Sequence, residues 1–140
     1  MSTSMRALML MGLIPFVLFA TAARFHWPLP LLPGHPTTWF IRYAVVIISF
    51  IAGSHWGMCY QHKTSHIPLV SNLITLVAWV CLAMPQASVA GLVLLSLFIA
   101  LFIVDCALYK ARRITRHILQ YRGLLTTIVL LSILFLGHYL

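Results

Sequence analysis

YAVVIISFIAGSHWGMCY, residues 43–60, is the stretch whose reading decides the fold. With Phe40 to Arg42 before it, it is long and apolar enough to cross a bilayer as a helix. Lipid alone does not call for the residues in its middle. Ser49, Gly53 and Gly57 recur every four positions, a small-residue stripe that lets another helix backbone come close. We read these three as helix-packing residues. The expected partner is another helix of this chain, with a second subunit as the alternative. His55 lies about 200° around the helix from Gly53 and shares a face with Ile48, Ala52 and Cys59. A small-residue face and a polar face on one helix predict a central position, with neighbours on both sides.

The composition around this stretch agrees with a membrane bundle. Of 140 residues, 62% are hydrophobic and 7% charged, too few charges to cover a water-facing surface. The mean hydropathy is +1.02. Nine Lys and Arg against one Asp or Glu give a net charge of +8. The basic residues sit in the short gaps between apolar runs, where membrane topology and anionic headgroups use them. Nucleic-acid binding is therefore not expected. Cys59, Cys81 and Cys106 all fall inside apolar runs and read as small reduced packing residues rather than a disulfide framework.

In chain order, residues 7–23 form a first span with a kink expected at Pro15. Ala20-Thr21-Ala22 has the pattern of a signal cleavage site, but the segment is expected to be retained as a helix. Residues 24–39 hold Pro28, Pro30, Pro33 and Pro36 and read as an extended surface loop. Trp27 and Trp39 would be its interfacial anchors, and His26 and His35 solvated loop histidines. Further spans are expected at 40–60, 67–84, 90–109 and 123–139. The turn at 61–66 is polar, and Ser71, Asn72 and Thr75 form a polar stripe on the third span. Residues 110–122 read as a basic amphipathic segment lying in the interface. There Lys110, Arg112, Arg113, Arg116 and Arg122 would touch lipid headgroups or an acidic partner. The fold class is thus all-α, a single transmembrane domain of about five helices without an internal repeat. Seven basic residues on one side against Arg24 and Arg42 on the other predict a cytoplasmic N-terminus and a periplasmic C-terminus.

Asp105 is the one carboxylate residue of the chain, and an unpaired charge at membrane depth costs about 2.5–3.5 kcal/mol. His55 precedes Tyr60 by five residues and Asp105 precedes Tyr109 by four, so both lie about 6–8 Å from the inner ends of their helices. They are expected to pair, with the Lys110–Arg113 cluster as the competing partner of Asp105. The pair reads first as a clamp between helices and second as a proton relay. No metal or other cofactor is expected: His55 and Cys59 are spaced i, i+4, but His62 and His66 lie in the turn and His138 at the opposite surface, so haem lacks a second axial ligand. Ser54 and His55 are adjacent and diverge on a helix, so a serine nucleophile is not formed, and no enzyme is expected.

Four stretches, "YAVVIISFIAGSHWG", "LVAWVCLAMP", "DCALYKAR" and "YRGLLTTIVLLSIL", resemble an uncharacterised family of small bacterial inner-membrane proteins similar to the mitochondrial transmembrane protein 69. The likeness runs from about Ala7 to the C-terminus and is most specific at Ser49–Gly57, with its His-Trp-Gly. It implies a five-helix fold in a bacterial or mitochondrial-type inner membrane and names no substrate. The expected function is a non-catalytic structural, accessory or assembly subunit of a larger inner-membrane complex. Its partners would be other integral subunits or a second copy of the chain, together with anionic lipids. The alternatives are a small oligomeric transporter or channel using His55 and Asp105, and a haem- or metal-bearing membrane protein.

Overall fold

The computed structural model describes residues 3–59 and 66–137, with side chains from Ala7 onward. Most of the polar turn at 61–66, Lys63 included, and His138 lie outside the described residues. The elements are α1 (Thr3–Met11), α2 (Ile14–Arg24), α3 (Pro36–Cys59), α4 (Ile67–Val80) with a 3-10 turn at Cys81–Ala83, α5 (Ala87–Lys110) and α6 (Arg116–Leu136). There is no strand among the described residues. Four helical stretches are long and apolar enough to cross a membrane: Ala7–Arg24, Pro36–Cys59, Ala87–Lys110 and Arg116–Leu136. The expected third span is apolar but shorter, Ile67–Ala83.

The first span is broken rather than gently kinked. Pro15 has no N–H, and its ring collides with the carbonyl four residues back, that of Met11. The chain turns there and restarts at Ile14, with proline in the first turn of α2. The Gly12 carbonyl, left without a helical partner, accepts the Tyr43 hydroxyl at 2.9 Å. A neighbouring helix thus satisfies the freed backbone group.

The proline-rich loop is shorter than expected, because α3 starts at Pro36, four residues before the predicted span. Proline's fixed φ suits a first helical position. His35 is not merely solvated: its Nδ1 lies 2.9 Å from Thr37 Oγ1 and accepts the Thr37 N–H at 3.4 Å, closing the start of the helix. At the other end of the loop His26 takes a left-handed φ of 53°, and the Trp27 N–H reaches back to the Ala22 carbonyl at 3.0 Å. Trp27 is exposed. Trp39 is held more firmly, donating Nε1–H to the Pro33 carbonyl at 2.9 Å under the Arg42 guanidinium, 4.9 Å from the ring centroid.

The largest departure from expectation lies after α5. Residues 110–122 are not a separate interfacial segment. Only 111–115 leave the helix, and α6 begins seven residues before the predicted span, with the Thr115 hydroxyl accepting the Ile118 N–H. Along α6, Ile118 stands at helical spacing with Arg122, Val129, Ile133 and Leu136, so one continuous face packs inward, and Ile114 joins Cys59 and Leu108 from the turn.

α3 is the central element, packed on α2, α4 and α5, while α6 packs on α2 and α5. Phe16 anchors the main core, with ring centroids 5.5 Å from Phe40, 4.9 Å from Tyr43 and 6.0 Å from Phe98. Ile48, Ala52, Leu94, Leu101 and Val129 complete it. A second, smaller apolar cluster of Cys59, Leu108 and Ile114 lies at the basic end.

The small-residue stripe does not pack within the described chain, contrary to expectation. Gly53 and Gly57 are exposed, and a Cβ built on either meets nothing within 4 Å. The face about 200° away carries the helix contacts. Ser49 is half-buried and donates to its own helix, to the Val45 carbonyl at 2.8 Å. Close approach occurs instead at Gly123, where a Cβ would sit 3.3 Å from the Phe102 ring.

Phe16→Ala removes three ring contacts and is expected to cost about 3–5 kcal/mol. Phe50→Ala, at a position 74% exposed, should cost little. Unfolding titrations in detergent micelles compare the two.

Candidate functional site

On three helices one polar side chain stands between the two apolar clusters. On α3 His55 falls between Ala52 and Cys59, on α5 Asp105 between Leu101 and Leu108, and on α6 Arg122 between Ile118 and Val129. They sit about 6–9 Å below the ends of their helices. α4 brings Ser71 in from its first turns. These side chains are buried: His55 and Ser71 are 0% exposed, Asp105 2% and Arg122 8%.

They form one chain of hydrogen bonds. His55 Nε2 donates to Asp105 Oδ1 at 2.9 Å, since an ionised carboxylate can only accept. His55 Nδ1 lies 3.0 Å from Ser71 Oγ. Arg122 Nη1 stands 3.4 Å from both carboxylate oxygens, and its Nη2 donates to Ser54 Oγ at 2.5 Å. Ser54 in turn donates to the Ile51 carbonyl at 2.6 Å. Arg122 Nε has no partner among the described residues. The Asp105 carboxylate and the Arg122 guanidinium cancel in charge, which is what allows either to sit at this depth. Four helices, α3 to α6, are joined through one carboxylate.

The two residues expected to pair, His55 and Asp105, are therefore together, but the cation beside them is not the expected one. Arg122 is expected at the headgroups, yet its place on the Ile118–Val129 face of α6 turns it inward to Asp105. Arg113 points elsewhere, with Nη1 3.4 Å from Cys59 Sγ, so it is not a free headgroup contact either. Lys110, Arg112 and Arg116 are exposed. Of the polar stripe on α4, Ser71 is buried, Asn72 faces outward, and Thr75 donates to the Ser71 carbonyl at 3.1 Å. No three His, Cys, Asp or Glu side chains gather as metal ligands among the described residues.

Arg122 and Ser54 are the members that the sequence does not place beside His55 and Asp105. For Arg122 a signal existed: Ile118, Arg122 and Val129 stand at helical spacing, so carrying the last helix back to Ile118 puts Arg122 on the apolar side. For Ser54 the adjacency to His55 was read as divergence. The two do diverge, and Ser54 meets Arg122 by doing so.

Asp105→Asn leaves the buried guanidinium without its counter-charge and is expected to destabilise the fold by about 3–5 kcal/mol. Asp105→Asn combined with Arg122→Gln should cost clearly less than the sum of the single changes. Denaturation midpoints of the double-mutant cycle read this coupling.

No curated protein and no solved structure matches the chain. The family described as "protein of unknown function (DUF3429)" matches residues 1–136. An all-helical chain with apolar helices of membrane-crossing length, closed around a single carboxylate, thus belongs to the DUF3429 family.

Proposed function

We propose that this chain is a non-catalytic accessory or assembly subunit of a larger inner-membrane complex, such as a respiratory one, and that it docks through outward helix faces. One observation carries the reading. His55, Ser71, Asp105 and Arg122 are turned inward and joined by hydrogen bonds, while α3 presents Gly53 and Gly57 to the outside, with Phe50 and Trp56 beside them. A face that met only lipid would gain nothing from paired glycines, whereas a partner helix gains close backbone contact.

The membrane placement rests on the apolar helices together with the charge pattern. Ile67–Ala83 is taken as a fifth crossing. At 1.5 Å per residue it is about 25 Å long, a few Å under a typical hydrocarbon core and within what local thinning accommodates. With Arg122 counted as buried, Lys110, Arg112, Arg113 and Arg116 fall on one side of such a five-crossing bundle, against Arg24 and Arg42 on the other. That bias supports a cytoplasmic N-terminus, a periplasmic C-terminus and a bacterial inner membrane.

Purification from native membranes in mild detergent, with mass spectrometry of what co-elutes, tests the proposal. The expected result is a stoichiometric complex of membrane subunits, from which Gly53→Leu releases a chain with an unchanged melting midpoint, because no neighbour within the chain stands near that Cβ. A homo-oligomer with nothing else attached, or a Gly53→Leu chain that keeps its partners, would contradict it.

A further inference from the structure

The turn between α5 and α6 holds a hollow of about 410 Å³ lined by Tyr109, Lys110, Arg112, Ile114, Thr115 and Arg116, within the size range of ligand sites. Three of its six walls are cations, and the N-terminus of α6, with its own partial positive charge, opens onto it. Among the described residues no side chain pairs with Lys110, Arg112 or Arg116. The chain cannot readily provide a counter-charge, since its one acidic residue, Asp105, is already bonded to His55 and Arg122.

The backbone of the turn adds a second, independent indication. α5 closes with the Arg113 N–H on the Leu108 carbonyl and the Arg112 N–H on the Tyr109 carbonyl, both at 2.9 Å. This pairing places Arg112 at the left-handed closing position where glycine is favoured, and its φ is 56°. A non-glycine residue is strained there by about 1–2 kcal/mol. The fold alone would do better with glycine, while the side chain present is a guanidinium that lines one hollow with Lys110 and Arg116.

We infer that this hollow binds the phosphodiester of an anionic phospholipid at the membrane interface, with Lys110, Arg112 and Arg116 as its ligands and Tyr109 against the glycerol region. Guanidinium groups match phosphate oxygens in a two-pronged geometry. The turn lies at the end of two apolar helices of membrane-crossing length, the level at which a bilayer spanned by them carries its phosphates. The inference rests on that placement and not on the accessory-subunit reading.

The test uses the purified full chain in neutral detergent, titrated with phosphatidylglycerol, phosphatidylcholine or inorganic phosphate, and read by native mass spectrometry and melting midpoint. Wild type should retain phosphatidylglycerol over phosphatidylcholine. Arg112→Gly should weaken phosphatidylglycerol about fivefold, the worth of one basic residue near an anionic surface, while its midpoint without lipid is equal or higher. Arg42→Gln, with the same change in net charge, should keep the lipid. The inference is overturned if Arg112→Gly binds phosphatidylglycerol as wild type does, or if its lipid-free midpoint falls. It is also overturned if Arg42→Gln loses as much affinity. Inorganic phosphate raising the midpoint as far as phosphatidylglycerol does would make free phosphate the ligand and overturn the lipid.

Discussion

Asp105 is where the rest of the structure converges. In hydrocarbon a lone carboxylate, a lone guanidinium or an unbonded imidazole each carries a free-energy cost that helix packing alone hardly offsets. Brought together they cancel charge and satisfy one another. Because His55, Asp105 and Arg122 come from three helices, with Ser71 from a fourth, no pair of helices can settle without the others. In a bilayer, apolar surface gives little preference for one helix arrangement over another, since lipid tails are as apolar as leucine. A polar cluster at one depth supplies the missing specificity, fixing both rotation and height of each helix.

The apolar layers on either side make that cluster effective. The Phe16-centred core lies to one side and the Cys59–Leu108–Ile114 cluster to the other, so the hydrogen bonds form at low dielectric, where a satisfied bond is stronger and an unsatisfied one costs more. The same arrangement divides the charges of the molecule into two populations. One Asp and one Arg are used inside. The remaining bases near the α5–α6 turn have no acidic residue left in the chain to meet.

Much of this was legible in the sequence. Helix length and composition gave the all-α apolar fold, and counting residues from the helix ends put His55 and Asp105 at one depth. Arg122 was not recovered because its neighbours Arg112, Arg113 and Arg116 made the whole stretch look like surface, although the Ile118, Arg122, Val129 spacing ran the other way. The stripe of Ser49, Gly53 and Gly57 marked a face open to close approach, but spacing carries no information about which molecule makes the approach. Pro15 marked where the first span is disturbed but predicted a kink where the helix breaks, and the Tyr43 hydroxyl that meets the Gly12 carbonyl there depends on tertiary packing that no local pattern encodes.

A single carboxylate residue also makes the central claim directly measurable. Aspartate labelled with ¹³C reports on Asp105 alone, the one Asp or Glu in the chain. In bilayers, solid-state dipolar recoupling of its ¹³Cγ against ¹⁵N-histidine in one sample and ¹⁵N-arginine in another tests the shared clamp. Strong dephasing of the same carbon by both labels is the predicted result. Dephasing by only one label, or by neither, would contradict an Asp105 held between His55 and Arg122.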